Sequence, residues 1–132
     1  MTVQMIEAYY RAFNARDYTG MLALVADEVV HDINQGPREV GRDSFAVFLQ
    51  RMDERYSEQI SDLVVLSHER GRRLAAEFLV TGKYLKADAG FPAAHGQRYE
   101  LPAGAFFEVD DDRITRVTTY YNLRDWLEQV RG

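Results

Sequence analysis

The periodicity of the sequence changes near Tyr56, and this change constrains the fold more than any other feature. Before Tyr56, apolar residues recur at steps of three and four, which is the spacing of one helix face. After it, apolar and polar residues alternate with the period of two that half-buried strands require, and helical spacing returns only near the C-terminus. Helices followed by strands are typical of an α+β fold, so we predict helices that cover an antiparallel sheet.

The helices expected from this pattern are three in the first half and one at the end. The first carries Val3, Ile6, Tyr10 and Phe13, with Tyr9 beside them. The others are predicted over residues 19–26, from Arg42 or Asp43 to Tyr56, and over 123–130. A short strand, Val29–Ile33, separates the second helix from the third and ends at the turn-forming residues 34–37.

Four strands are expected after the third helix, over residues 60–66, 73–84, 97–109 and 113–122. The last two form a hairpin around three aspartates, and alternation places Ala105 and Phe107 on the same face as Val117 and Tyr121 of the return strand. That face mixes large apolar groups with hydroxyls, which suits a pocket wall at least as well as a packed core. The loop at 86–96 is longer than a hairpin needs, and we expect it to form a flap or pocket rim.

Composition narrows the classes of function. With 132 residues and 46% hydrophobic content, we expect one domain over residues 1–132. The net charge of -5 comes from scattered charges and offers no basic face for nucleic acid. There are no cysteines, and no segment approaches the roughly 20 consecutive apolar residues of a membrane span. The N-terminus lacks a signal-peptide pattern, so we expect a cytoplasmic protein without a membrane or nucleic-acid partner.

Several segments, in their order and spacing, resemble the NTF2-like superfamily, and within it the SnoaL-like and ketosteroid isomerase-related proteins. The segments are residues 7–17 (EAYYRAFNARD), 26–32 (ADEVVHD), Gly36, Gly41-Arg42, and the closing hairpin with Arg113-Ile114 and Tyr120-Tyr121. The resemblance implies a cone-shaped (cystatin-like) α+β fold in which a curved antiparallel sheet and three helices enclose a deep pocket. It also implies a homodimer formed through the outer sheet face. Members differ in activity, so the fold indicates where the site lies but not which reaction it catalyses.

The resemblance proposes two catalytic residues. Asp32 falls where ketosteroid isomerases keep the carboxylate that moves a proton on carbon. Apolar walls would raise the pKa of such a base. Ketosteroid isomerase is itself a standard example of an active site that tunes the pKa of its carboxyl groups. The segment is one residue shorter than the isomerase pattern, so an unshifted count would place Ile33 there. Asp32 could instead cap the turn that follows it. Tyr9 matches the tyrosine that donates to the substrate oxygen, or is a core tyrosine.

Ala105 is a departure from the isomerase pattern. It stands where these isomerases carry a protonated aspartate that completes the oxyanion hole, and alanine can donate nothing. We therefore expect a related reaction rather than steroid isomerisation. Asp125 lies where SnoaL-like cyclases place an acid/base aspartate, but a carboxylate in the first turn of a helix is the simpler interpretation.

We expect the pocket to be lined by residues on the inner faces of the strands, with His95 at its rim: Phe78, Val80, Tyr84, Ala105, Phe107, Val117, Tyr121 and His95. Such a pocket suits a small, flat hydrophobic molecule and needs no cofactor. His31, His68 and His95 lack the spacing of a metal motif, so no metal is expected. Glu58 is interpreted as a solvated surface charge. Three functions remain open: a cofactor-free isomerase, cyclase or hydrolase; a non-catalytic ligand-binding module; and a structural dimer whose cone is filled by its own side chains.

Overall fold

A computed structural model describes residues 2–131 of the chain and shows a mixed α+β architecture. The elements in chain order are α1 (Thr2–Asn14), α2 (Tyr18–Leu22), β1 (Val25–Asp32), β2 (Arg38–Val40), α3 (Arg42–Arg55), β3 (Tyr56–His68), β4 (Arg73–Tyr84), β5 (Gln97–Asp110), β6 (Arg113–Tyr121) and α4 (Leu123–Val130). None of the helices described is both long and apolar enough to cross a membrane.

The six strands form one curved sheet in the order β2-β1-β6-β5-β4-β3. The neighbours from β3 to β6 pair antiparallel, as the sequence predicts, but β1 pairs parallel with β6, with His31 opposite Val117. Four of the five strand pairs in the described residues are therefore antiparallel, as expected, and the pair of β1 with β6 is the exception. A parallel partner requires a long crossover, and here residues 33–112 lie between the two strands.

Several element boundaries differ from the predicted ones. Helix α2 ends at Leu22, because Val25 and Ala26 already belong to β1, which is longer than the predicted strand. Strand β2 was not predicted. Strand β3 begins at Tyr56 rather than at residue 60. This last difference matters most for the site, because it makes residues 56–59 part of the sheet.

Side-chain hydrogen bonds attach the helices to the sheet. The α1 residue Asn14 donates from Nδ2 to the carbonyl of Ile60 and accepts from the Ile60 amide at Oδ1, at 3.0 and 2.8 Å. Asn122 caps α4 by accepting from the amide of Asp125. On the same helix, Gln129 exchanges hydrogen bonds with the backbone of Glu100 on β5. Helix α4 thereby closes one end of the curved sheet.

Two clusters of buried residues form the interior. The larger cluster joins α1, α2 and α3 to the inner sheet face and includes Tyr9, Tyr10, Phe78, Ala105 and Phe107. The smaller cluster surrounds Trp126 of α4 and includes Tyr84, Tyr99 and Leu101. A cavity extends between the two clusters.

Candidate functional site

The inner face of the sheet, α1, α3 and the loop after β4 enclose a cavity of about 490 Å³. This volume lies within the range of small-molecule sites. Its walls are largely aromatic: Tyr9, Tyr10, Phe13, Phe45, Phe48, Tyr56, Phe78, Phe91, Tyr99, Tyr121 and Trp126. The side chains therefore leave part of the cone empty. The purely structural hypothesis requires side chains that fill the cone, so the cavity speaks against it.

Four of the predicted lining residues reach the cavity, namely Phe78, Val80, Val117 and Tyr121. Four others do not, namely Ala105, Phe107, Tyr84 and His95. Ala105 and Phe107 are fully buried, and the rings of Tyr9 and Tyr10 cover Phe107 at centroid distances of 5.7 and 6.0 Å. Helix α1 thus packs directly on this part of the inner face.

Tyr84 has a structural role at the base of the loop formed by residues 85–96, which we call the strap. Its hydroxyl donates to the carbonyl of Pro92 at 2.7 Å and accepts from the amide of Asp88 at 3.0 Å. His95, on the same strap, is exposed and does not reach the cavity. The strap instead presents Asp88, Ala89 and Phe91 to the cavity.

Asp88 is the polar anchor of the strap. It is buried and accepts from Arg51 Nη2 at 2.9 Å and from the hydroxyl of Tyr56 at 3.2 Å. Arg55 adds a hydrogen bond to the carbonyl of Ala87. These contacts tie the strap to the end of α3 and hold that side of the cavity closed.

Asp32 lies outside the cavity lining, which contradicts the role predicted for it. Its carboxylate accepts from Arg38 at 2.6 and 3.0 Å and from the hydroxyl of Thr118 at 2.6 Å. The hydrogen bonds from Arg38, aided by Thr118, lower the pKa of Asp32 to about 2. A base needs a pKa near the working pH and access to the substrate, and Asp32 has neither. The cause is strand alternation, because His31, not Asp32, points inward from β1.

Tyr9 does line the cavity, as expected. Within residues 2–131 no hydrogen bond is made by its hydroxyl, and burial raises the pKa of this phenol well above its usual value. The group therefore stays protonated and can donate to a ligand. Its edge-on contacts with Tyr10 and Phe107 also make it part of the core, so geometry is compatible with both predicted roles.

The strongest acid/base candidate is Glu58, which sequence reasoning interpreted as a solvated charge. The side chain is half-buried in the cavity wall, and its Oε2 accepts from the hydroxyl of Tyr99 at 2.5 Å. Burial raises the pKa of Glu58, and the hydrogen bond from Tyr99 opposes that rise in part. Desolvation by burial also raises the pKa of Tyr99 far above its usual range, so the phenol remains the donor.

Gly82 makes the contact between Glu58 and Tyr99 possible. The three residues lie opposite one another on β3, β4 and β5, with Gly82 in the middle. A Cβ atom at position 82 would stand 2.5 Å from both Cζ and the hydroxyl oxygen of Tyr99. The Tyr99 ring therefore crosses β4 over the place that any other side chain would occupy.

A signal for Glu58 was present in the sequence. Tyr56, Glu58 and Ile60 alternate with Ser57 and Gln59, so a strand that begins at Tyr56 places Glu58 on the inward face. The start of this strand was missed because Tyr56 also fits the helical spacing of the third predicted helix.

Of the other polar candidates, Asp125 lies outside the cavity, whereas His31 lines it. Asp125 lies in the first turn of α4, where its Oδ1 accepts from Gln129, and it does not line the cavity. Among residues 2–131 there is no group of three His, Cys, Asp or Glu side chains placed to hold a metal. His31 does line the cavity and is buried between Phe45 and Phe48.

A curved sheet folded with helices around an aromatic cavity that carries a carboxyl group defines an NTF2-like protein. The SnoaL-like domain family matches residues 6–117, and the chain belongs to this family. This confirms the resemblance inferred from the segments at residues 7–17 and 26–32.

Solved structures of similar proteins agree with this assignment. A candidate polyketide cyclase from Xanthomonas campestris is 53% identical, with a TM-score of 0.95, 98% of this chain covered and 96% of that one. A candidate polyketide cyclase from Pseudomonas putida is 50% identical, with a TM-score of 0.98 and coverages of 99% and 98%. An LEH-like epoxide hydrolase from M. tuberculosis, at 21% identity, a TM-score of 0.77 and coverages of 98% and 84%, shares the fold. No curated protein matches the chain.

Proposed function

We propose that the protein binds a flat hydrophobic molecule in the cavity and catalyses cofactor-free proton transfer on it, with Glu58 as the acid/base residue. The observation that carries this proposal is the Glu58 carboxyl group in an aromatic cavity, with its pKa raised by burial and its Oε2 hydrogen-bonded to Tyr99. A carboxylate of this kind suits the removal of a proton from carbon near neutral pH.

The reaction that fits these groups begins on a carbon next to a carbonyl. The Glu58 carboxylate takes the C–H proton, and the electron pair of that bond moves into an enolate. Glu58 can then return the proton to another carbon, which is an isomerisation. Alternatively, the enolate carbon attacks a second carbonyl of the same molecule and Glu58 protonates the new alkoxide, which is an aldol cyclisation. The similarity to candidate polyketide cyclases at 50–53% identity favours the cyclisation.

The proposal can be tested with 5-nitrobenzisoxazole, a flat molecule whose ring opens to a coloured phenolate when a base removes its C–H proton. Replacing Glu58 by Gln should lower kcat/KM for this probe by about 100-fold or more, which is the usual contribution of a general base. Glu77→Gln is the matched control, because Glu77 lies on the same sheet but is exposed. Its activity should equal that of the unaltered protein.

The pH dependence gives a second readout. The rate should rise with pH as Glu58 ionises, and the midpoint should lie above the usual pKa of a glutamate because burial disfavours the charged form. Tyr99→Phe should move the midpoint higher, because it removes a hydrogen bond to the ionised form. Turnover that survives Glu58→Gln unchanged would contradict the proposal. Binding of the probe without turnover would favour the ligand-binding module.

We also propose that the protein forms a homodimer through the outer face of the sheet. Val64, Leu66, Phe106 and Tyr120 project from this face and remain 45–64% exposed. Large apolar side chains grouped on one face of a sheet are typical of an interaction surface. The cavity lies on the opposite face, so pairing of two outer faces leaves it open to ligand.

A further inference from the structure

His31 is a polar side chain that is buried in the aromatic wall of the cavity, where a polar group without a hydrogen-bond partner is unfavourable. It is 4% exposed and its ring contacts Phe45 and Phe48 of α3 edge-on, at centroid distances of 4.8 and 4.5 Å. Burial lowers the pKa of this imidazole to about 4, although the neighbouring Asp32 carboxylate raises it slightly. His31 is therefore neutral at physiological pH, with one ring nitrogen as donor and the other as acceptor.

Neither ring nitrogen has a protein partner among residues 2–131. Nδ1 is fully buried without a hydrogen bond, whereas Nε2 keeps its access to the cavity. Buried polar atoms without a partner destabilise the folded protein and are rare in native structures. His31 is therefore a polar group kept in the cavity wall without a protein partner, and only its Nε2 is placed to meet a partner on a ligand.

The same environment determines which nitrogen carries the proton. An N–H group that is buried without an acceptor is rarer in proteins than an acceptor without a donor. The proton is therefore better placed on Nε2, where the cavity can offer an acceptor, and Nδ1 is left with its lone pair. In this tautomer His31 presents a neutral N–H donor to the cavity, so its partner must be an acceptor oxygen.

His31 and Glu58 lie toward opposite ends of the cavity. His31 contacts Phe45 and Phe48 near the start of α3, whereas Glu58 follows two residues after Tyr56, where this helix has ended. The strand register shows the same separation, because His31 aligns through Val117 with Phe107 of β5, whereas Glu58 aligns through Gly82 with Tyr99, eight positions away on the same strand. One ligand atom cannot serve both groups, and a ligand that reaches both must be elongated.

We propose that His31 is a ligand-specificity residue that donates a hydrogen bond from Nε2 to a carbonyl oxygen at the end of the ligand remote from Glu58. The inference rests on the proposed function in that it names the substrate class for the same cavity. The ligand is an elongated, flat polycarbonyl molecule, with one carbonyl held by His31 and another activating the carbon that Glu58 deprotonates.

The test uses 9-fluorenone and fluorene, two flat ring systems of nearly equal shape that differ in one carbonyl oxygen. The unaltered protein should bind 9-fluorenone about 2- to 10-fold more tightly than fluorene, as one net hydrogen bond predicts. His31→Phe keeps an aromatic ring between Phe45 and Phe48 but removes the donor, and this preference should disappear. Isothermal titration calorimetry measures both affinities.

Two control variants separate this inference from the proposed function. Thr119→Val removes a different polar group from the cavity wall, and Glu58→Gln removes the acid/base group. Both should keep the preference for 9-fluorenone. Loss of the preference in His31→Phe alone supports the inference, whether or not Glu58 proves to be catalytic. An equal preference in His31→Phe and the unaltered protein overturns it.

A spectroscopic measurement on the unaltered protein keeps the inference testable if His31→Phe does not fold. The infrared carbonyl band of bound 9-fluorenone should shift to lower frequency than in an apolar solvent, because a hydrogen bond weakens the C=O bond. The ¹⁵N shifts of the His31 ring should show a neutral imidazole protonated at Nε2. An unshifted carbonyl band, or a proton on Nδ1, overturns the inference.

Discussion

Replacing Gly82 by alanine tests the contact on which the proposed site depends. Glycine inside a strand costs about 0.5–1 kcal/mol relative to alanine, so the change by itself would stabilise the sheet. The backbone at Gly82 is compatible with any residue, since its φ is not positive. The new methyl group, however, would stand 2.5 Å from Cζ and from the hydroxyl oxygen of Tyr99. No side chain tolerates that distance, so the Tyr99 ring must move.

The expected cost follows from what the ring then loses. Overpacking in a buried region usually costs about 1–3 kcal/mol. The hydrogen bond from Tyr99 to Glu58 is also lost, and bonds to charged groups contribute about 1.5–3 kcal/mol when buried, less at the half-buried Glu58. After the gain in strand propensity is subtracted, Gly82→Ala should lower the free energy of unfolding by about 1–3 kcal/mol. Urea denaturation followed by circular dichroism measures this change.

Gly104 provides a matched control. It lies in β5 of the same sheet without a positive φ, and a Cβ there would meet only the carbonyl oxygen of Ala76, at 3.4 Å. Gly104→Ala should therefore be neutral or stabilising. In a Tyr99→Leu background the clash is absent, so Gly82→Ala should lose its penalty, which makes the two substitutions strongly non-additive. The reasoning is refuted if Gly82→Ala stabilises the protein as Gly104→Ala does, or if its effect is the same in both backgrounds.

Three further predictions concern His31, Asp32 and the outer sheet face. Because the pKa of His31 falls from 6.5 to about 4 on folding, the unfolded chain binds the proton first, and stability should decline as the pH drops from 6.5 to 4. His31→Phe should remove up to roughly 3 kcal/mol of this decline, as measured by urea denaturation at both pH values, and an unchanged pH dependence would contradict the shift. Asp32→Asn should keep turnover of 5-nitrobenzisoxazole within about 3-fold but lower stability by about 1 kcal/mol, since it breaks a partly exposed ion pair; a loss of turnover comparable to that of Glu58→Gln would restore Asp32 as the base. Phe106→Arg should convert the proposed dimer to a monomer in light scattering after gel filtration, whereas a dimer that persists would place the interface elsewhere.

Local patterns were sufficient for much of the fold. The four helices and the hairpin between β5 and β6 were predicted, because amphipathic spacing and turn chemistry are properties of neighbouring residues. The inward positions of Phe78, Val80, Val117 and Tyr121 followed from alternation alone. The errors lie at element boundaries, as at Tyr56, where one aromatic residue fits both the helical and the strand period.

The polar residues of the site were harder to assign, because their roles depend on partners distant in sequence. Strand alternation turns Asp32 away from the cavity. A hydrogen bond from Thr118, which is 86 positions away, helps to hold its carboxylate there. Glu58 has a hydrogen-bond donor in the cavity wall only because Tyr99, 41 positions away, reaches it across Gly82. The alternation of Tyr56, Glu58 and Ile60 indicates that Glu58 faces inward, but no residue near it in sequence identifies Tyr99 as its partner.

The sequence by itself determined the α+β architecture, the inward faces of the strands and the family, because each depends on periodicity and on short segments in a fixed order. The tertiary structure decided which carboxyl group enters the cavity, which histidine lacks a partner and which aromatic residues are core rather than wall. The physical reason is that burial and hydrogen bonding set the pKa and the accessibility of a polar group. Both are fixed only when strands far apart in the chain come into register.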